Sequence, residues 1–363
     1  MVTLTTFDNV YRNRSVLVTG HTGFKGSWLS IWLHELGAKV VGYALDPYTD
    51  KDNFVLSRIG AKIVDIRGDI RDVCKLEQVF EQYRPAFVFH LAAQPLVRLS
   101  YENPVETYEI NVMGTINVLE AIRRTKNTKV GIMITTDKCY DNKEQLWGYR
   151  ESDPLGGYDP YSSSKGAAEL AINSWRQSFF DPTAVDKHGT SIASVRAGNV
   201  MGGGDWAKDR IVPDCIKAME GDRTIEIRSP YSVRPWQHVL DPLSGYLLLG
   251  EKMYNDPKKY AEAWNFGPEV SSIMPVWDVA RTLIGYYGKG KLKDVSEVSA
   301  VHEAKLLALD ISKARFRLGW VPRLNINETI KLTVDWYRNY TQTNVYDLCK
   351  RQIGDSFKEM RYR

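Results

Sequence analysis

The sequence predicts an α/β protein with a doubly wound parallel sheet, and three observations carry that prediction. Short β-rich apolar runs alternate with helix-length amphipathic segments through residues 1–198. A glycine-punctuated turn joins the first run to the first helix, and polar residues able to do chemistry cluster just past the ends of the runs. Strands alternating with helices imply parallel pairing through right-handed crossovers, with ligands at the carboxyl ends of the strands.

The first strand is Ser15-Val16-Leu17-Val18-Thr19, broken by Gly20-His21-Thr22-Gly23-Phe24-Lys25-Gly26 before an amphipathic helix over residues 27–36. A second strand, residues 39–44, stops before Asp46, and a third, residues 62–66, stops before Gly68-Asp69. Residues 87–91, 130–134 and 191–196 continue the series, separated by helices predicted at 73–82, 104–125 and 163–179. This is the pattern of a Rossmann-type dinucleotide-binding domain, assigned to residues 1–198. Glycines, aspartates and a tryptophan make residues 198–221 loop-rich, and short strands mix with helices beyond. Residues 199–363 are therefore read as a smaller α/β substrate domain, with the chain returning to the sheet near residues 264–267. No internal repeat or low-complexity segment interrupts the pattern.

Composition excludes several classes of function. The 363 residues carry 48 Lys and Arg against 44 Asp and Glu, a net charge of only +4. Basic residues cluster no further than pairs such as Arg123-Arg124 and Lys258-Lys259, so no nucleic-acid-binding stripe is expected. Four scattered cysteines, with no CxxC pair and no histidine at zinc spacing, point to reduced thiols and no metal. No apolar run reaches the roughly 20 residues that span a bilayer, and residues 1–14 lack the signature of a secretory leader. The expectation is a cytoplasmic protein with no membrane partner.

Two groups of residues point to chemistry. Gly20, Gly23 and Gly26 follow GxxGxxG spacing, which lets backbone approach a pyrophosphate while the next helix offers free N–H groups. Asp46, about 20 residues on at the end of the second strand, suits the ribose hydroxyls of NAD and opposes the 2'-phosphate of NADP; its alternative is a surface turn before Pro47. The second group is Thr136-Asp137-Lys138, ending the apolar run 130–134, followed a helix later by Tyr161 and Lys165. Tyr-x-x-x-Lys alone selects nothing, because Tyr254/Lys258, Tyr287/Lys291 and Tyr346/Lys350 repeat it. Position selects Tyr161: it follows Gly156-Gly157 and Pro160 and opens a helix. The Lys165 ammonium on the same helix face is expected to bring the phenol down from about 10 toward working pH, making it a proton shuttle for an alcohol.

The turn GHTGFKG, the strand end HLAAQP, TTDK, YSSSK and RAGNVMGGGDW together resemble the extended short-chain dehydrogenase/reductase family of nucleotide-sugar enzymes. The similarity extends to Leu318-Gly319-Trp320-Val321-Pro322 and Val334-Asp335-Trp336-Tyr337, nearly the whole chain. TTDKCY and VRPWQHVLDPLSGY are most similar to that family's 4,6-dehydratases. The resemblance implies NAD as cofactor, CDP-glucose as small-molecule partner, and a homodimer through the helices at 104–125 and 163–179.

It also implies roles residue by residue. Thr136 binds the sugar oxygen, Tyr161 is the base, and Lys165 also holds the nicotinamide ribose. Thr22, Phe24 and Lys25 belong to the cofactor turn, Asp69 and Ile70 flank adenine, and Leu91, Ala92 and Ala93 line the cleft with Asn111 behind them. Gln94, Asn199, Asp205, Trp206, Arg210, Arg234 and His238 fall in the substrate region. Forked guanidinium groups suit a diphosphate, although Arg210 or Arg234 can equally serve an interdomain ion pair. A lone histidine such as His238 is often purely structural. Related dehydratases follow the Ser/Thr with Asp and Glu, acid and base for elimination; here Asp137 matches and Lys138 replaces Glu. Lys138 is therefore either a neutral base at C5 or a cation that stabilises the enolate. The same fold, Thr136, Tyr161 and Lys165 would serve a 4-epimerase, but Asp137-Lys138 has no task there.

Overall fold

The computed structural model describes residues 7–296 and 306–357. The reading of residues 1–14 thus lies partly, at 1–6, outside the described residues. In chain order the strands are β1 (Ser15–Thr19), β2 (Lys39–Ala44), β3 (Val64–Arg67), β4 (Phe87–His90), β5 (Val130–Ile134), β6 (Ser191–Ala197), β7 (Asn199–Met201), β8 (Ile225–Ile227), β9 (Val233–His238), β10 (Ala263–Phe266), β11 (Ile273–Pro275) and β12 (Leu292–Asp294).

Seven strands form one sheet in the order β10-β6-β5-β4-β1-β2-β3, parallel at every pairing. Both faces are covered by helices, so β5 and β6 are buried along their whole length and read as continuous apolar runs. Period-two alternation still sorts them: Val16 and Val18 of β1 face a core containing Trp28, Trp32 and Leu243, while Leu17 faces one containing Phe80, Val118 and Ile122. Strand order reverses between β1 and β4, and a ligand crevice opens beyond the carboxyl ends of strands at such a switch point. A buried bond of 2.7 Å between Thr19 Oγ1 and His90 Nδ1 ties the two strand ends together there.

The second half of the chain contributes β10 to the large sheet, as expected from residues 264–267, and builds two small sheets, β11-β9-β7 and β12-β8, over its carboxyl edge. The final helix, Val345–Phe357, packs back on the first, Phe24–Glu35, with the Trp32 and Phe357 rings 4.9 Å apart. Among the described residues no helix is long and apolar enough to cross a membrane.

The helix expected over 104–125 is interrupted. Pro104–Tyr108 passes through a π-helical turn, Glu109–Met113, before Gly114–Thr125. The wide turn carries Asn111, whose Oδ1 accepts from Gln94 N at 2.9 Å and whose Nδ2 donates to Gln94 O at 3.1 Å and Ser164 Oγ at 2.9 Å. Satisfying a buried amide at this position outweighs regular helix, and such bulges concentrate at functional sites.

Candidate active site

The predicted cofactor turn and the Thr136–Lys138 cluster fall at the carboxyl ends of β1 and β5, and Tyr161 and Lys165 lie on the helix packed against the turn after β5. The turn after β1 is built so tightly that two glycines are obligatory. A Cβ on Gly26 would stand 2.0 Å from the Gly20 carbonyl oxygen, and one on Gly20, whose φ is +74°, would meet Ala92 N at 2.7 Å. Gly23, which caps the helix Phe24–Glu35, has only Gly20 O at 3.4 Å. The turn therefore leaves an open approach over a helix N-terminus, the arrangement that receives a pyrophosphate. Thr22 fixes it by donating to Leu45 O at 3.0 Å. Asp46 is exposed after β2 and pairs with Arg67 at 3.3 Å. After β3, Asp69 is clamped by Arg71 at 2.7 Å, which holds its carboxyl below the usual range, and Ile70 is buried against Gly114. Leu91, Ala92 and Ala93 follow β4 as half-buried wall. These residues follow one another past the carboxyl ends of β1, β2, β3 and β4.

The acid–base cluster follows β5. Thr136 caps a turn of 3₁₀ helix, Asp137–Cys139, and its hydroxyl donates to Asp137 Oδ1 at 3.0 Å. Asp137 is 2 % exposed and its Oδ2 has no hydrogen-bond partner. Burial pushes this carboxyl up, against the opposing charges of Lys138, Lys25 and Arg234 and the Thr136 bond. Lys138 is half-buried and is the largest of those opposing influences after desolvation.

Asp159 caps the helix Pro160–Ser178 by accepting from Ser162 N at 2.9 Å, and this orients Tyr161 and Lys165 toward the β5 turn. The Tyr161 phenol is pushed up to about 12 by burial, with the Thr136 hydrogen bond and Arg210 pulling the other way. This corrects the expectation of a lowered phenol: desolvation outweighs the cations that bear on it. Lys165 is itself driven down to about 8 by burial, Glu169 opposing. Lys25, expected only as part of the cofactor turn, is likewise brought to about 8 by burial and then Arg210, in charge contact with Asp137 and Lys165.

On the substrate side the placements divide. Arg210 lies within charge range of Tyr161 and pairs with Asp205 at 2.7 Å, a local ion pair and not an interdomain one. Arg234 on β9 bears on Asp137, and Asn199 stands half-buried in β7. Gln94, Trp206 and His238 are not presented to the cleft. Gln94 spends its amide inside its own loop, donating to Thr107 Oγ1 at 2.9 Å and accepting from Leu96 N at 2.5 Å. Trp206 is wedged edge-on against Tyr337 and Tyr340. His238 is fully buried, pushed down to about 3 by desolvation, and packs edge-on to Trp28.

Sequence reasoning missed the layer beneath the site. Glu169 accepts from Thr135, Ser194 and Arg196, and Arg196 in turn donates to the Tyr140 hydroxyl. The spacing Tyr161-Lys165-Glu169, one residue per helical turn, was the available signal.

A dinucleotide cradle at the switch point, a hydroxyl–carboxyl pair at the end of β5 and a Tyr–Lys pair facing them define an extended short-chain dehydrogenase/reductase. The sequence matches the GDP-mannose 4,6 dehydratase family over residues 17–333, and the chain belongs to that family. It is 49 % identical over 348 residues to the CDP-glucose 4,6-dehydratase of Salmonella typhimurium, covering 96 % of this chain and 97 % of that protein. Among solved structures, Thermus thermophilus UDP-glucose 4-epimerase in complex with NAD superposes with a TM-score of 0.75 at 25 % identity, over 89 % of this chain and 99 % of that one. The dTDP-glucose 4,6-dehydratase of Bacillus anthracis shares the fold, with a TM-score of 0.73 at 20 % identity over 90 % and 97 % of the two chains.

Proposed function

We propose that this enzyme carries out the NAD-dependent 4,6-dehydration of CDP-D-glucose to CDP-4-dehydro-6-deoxy-D-glucose, a lyase step supplying deoxysugar precursors of the lipopolysaccharide type in the cytoplasm. The 49 % identical relative supports the substrate, and four unpaired cysteines support a reducing compartment. The observation that carries the reaction is Asp137: a buried carboxyl, one oxygen unpartnered, its acid form favoured by burial, beside the hydroxyl expected to bind the sugar's C4 oxygen. A 4-epimerase has no use for it.

The Gly20–Gly26 turn fits NAD because a Cβ at Gly20 or Gly26 would clash with backbone while the space over Gly23 stays open, where a pyrophosphate needs the room. When bound, NAD would supply the hydride acceptor for C4 and, once reduced, the hydride donor for C6, with a positive charge on its oxidised nicotinamide ring. The protein's residues do the rest. Thr136 holds the C4 oxygen, and Tyr161, as phenolate, takes the 4-hydroxyl proton as hydride leaves C4. Ketone formation acidifies the C5 hydrogen, which is why oxidation precedes loss of water. Asp137 then protonates the departing C6 hydroxyl, while Lys138, half-buried next to it, takes the C5 proton and gives one back to C5 when hydride reaches C6. Lys165 keeps a cation beneath Tyr161, and Arg210 and Arg234 bind the diphosphate.

Homodimerisation through the helices at 104–125 and 160–178 is supported by the large side chains they leave in solvent, Val105 at 71 %, Met113 at 50 % and Leu170 at 61 % exposure. Light scattering of the purified protein tests this. Incubation with CDP-glucose and detection of the alkali-induced absorbance of a 4-keto sugar tests the activity; release of a 4-epimer, or no turnover, counts against it.

A further inference from the structure

Directly beneath the proposed catalytic layer lies a buried carboxylate with three hydrogen-bond donors around it. Glu169 is 2 % exposed in the middle of the helix Pro160–Ser178. Its Oε1 accepts from Thr135 Oγ1 at 2.5 Å, and its Oε2 accepts from Ser194 Oγ at 2.7 Å and Arg196 Nη2 at 2.8 Å. Thr135 is the residue before Thr136, and its backbone N–H also binds Val195 O at 2.8 Å. One carboxylate therefore pins the carboxyl end of β5 to β6 and to the helix that carries Tyr161 and Lys165. Successive positions four apart share a helix face, so Tyr161, Lys165 and Glu169 stand in line, phenol above amine above carboxylate.

A structural ion pair alone does not account for this arrangement. Arg196 already has the Tyr140 hydroxyl at 2.7 Å and the Tyr140 ring face at 4.9 Å, and replacing a buried ion pair by apolar side chains is often neutral or stabilising. What an apolar side chain cannot supply is negative charge one turn below an amine that is 5 % exposed. Around Lys165 the other titratable groups are His90 from β4, Cys139 from the turn after β5 and Lys25 from the helix Phe24–Glu35; Arg196 and Arg176 act on Glu169 itself. His90 is held neutral by burial and Cys139 is pushed well above its ordinary value, so neither provides an anion, while Lys25 adds repulsion. Glu169, itself paired with Arg196 at 2.8 Å, is the anion among these groups that bears on Lys165.

We propose that Glu169 is a positioning residue for the oxidation step: its carboxylate holds the Thr135-Thr136 strand end against the Tyr161–Lys165 helix face and keeps the Lys165 ammonium charged beneath the phenol. The proposal rests on the dehydratase reading for the identity of that step, but its central readout does not. Glu169→Gln keeps the shape and removes the charge. Labelling of the Lys165 amine by an acylating reagent across pH, read by mass spectrometry of its peptide, needs no substrate. The midpoint should fall by about one pH unit in Glu169→Gln, as expected on losing a nearby opposite charge, and return in Glu169→Asp. In single-turnover oxidation of CDP-glucose the alkaline limb should move by the same amount, lowering the rate about fivefold at the pH of the wild-type midpoint, while the CDP-glucose concentration giving half the maximal rate stays unchanged. If Glu169→Gln does not fold because Arg196 is left unmatched, Glu169→Gln/Arg196→Gln removes both charges and should still move the Lys165 midpoint downward. An unmoved labelling midpoint in whichever variant folds overturns the proposal. Failure of the wild-type enzyme to turn over CDP-glucose, with the labelling shift present, would instead count against the substrate assignment.

Discussion

Gly23 and Gly26 occupy equivalent places in the GxxGxxG spacing but should respond oppositely to a methyl group. A Cβ on Gly26 would lie 2.0 Å from Gly20 O and 2.8 Å from both Gly20 C and His21 Cα. Ordinary contact begins at 3.4 Å, so 3.4 − 2.0 = 1.4 Å of backbone movement is required, with no side chain available to yield. Overpacking on this scale costs about 1–3 kcal/mol, so Gly26→Ala should lower the melting temperature and distort the turn that meets the cofactor. A Cβ on Gly23 meets only Gly20 O at 3.4 Å, with φ −75° and ψ 172°, a conformation any residue adopts. Gly23→Ala should therefore unfold within about 0.5 kcal/mol of wild type. Its methyl would occupy the approach over the helix N-terminus, and loss of even one charge-assisted bond to a phosphate, about 1.5–3 kcal/mol, weakens NAD roughly 10- to 100-fold. Thermal melts paired with NAD titration by tryptophan fluorescence separate the two effects. Wild-type NAD affinity in Gly23→Ala, or wild-type stability and affinity in Gly26→Ala, would refute the cradle.

Three further outcomes are expected. The Tyr161 phenol, held at about 12 by burial, should titrate lower once NAD brings positive charge to the cleft; ultraviolet difference titration of wild type against Tyr161→Phe, with and without NAD, measures the change. Asp241, buried at the start of the helix Leu240–Asn255 with Oδ2 unpartnered, is raised from 3.8 to about 7 by desolvation, so the fold retains a proton that the unfolded chain has released. Stability should consequently fall between about pH 4 and pH 7, by up to about 4 kcal/mol, then level off, and urea melts of Asp241→Asn should lack that slope. Lys138→Ala should still form enzyme-bound reduced nicotinamide in a single turnover while blocking loss of water; absence of the reduced form would place Lys138 in the oxidation half instead.

The alternation of parallel strands and helices was legible because buried parallel strands announce themselves as apolar runs between amphipathic segments, whereas their order in the sheet was not. Two of the three decoy Tyr-x-x-x-Lys pairs show what position adds. Tyr254 stacks on Phe87 while Lys258 pairs with Asp186, and the Tyr346 hydroxyl and Lys350 both bind Glu35, far from the strand ends. What periodicity could not show was direction and burial. Gln94 and His238 lie in the right segments yet turn inward, because a buried polar group takes the nearest partner or gives up its charge. Lys25 lies in the cofactor turn by sequence, yet its amine joins the charges around Asp137. The π-helical turn at Glu109–Met113 hides in an unbroken amphipathic pattern, since only the Asn111 side-chain bonds, made to residues distant in sequence, pay for it.

The central claim is that oxidation and elimination use different groups in one cleft, with Asp137 the acid for the second. Single-turnover reaction of Asp137→Asn with CDP-glucose, following the near-ultraviolet absorbance of reduced nicotinamide and the 4-keto product together, tests it directly. The reduced cofactor should appear close to the wild-type rate and persist, with product formation slowed by about 10²- to 10⁴-fold. Product at the wild-type rate, or no reduced cofactor at all, would contradict the account.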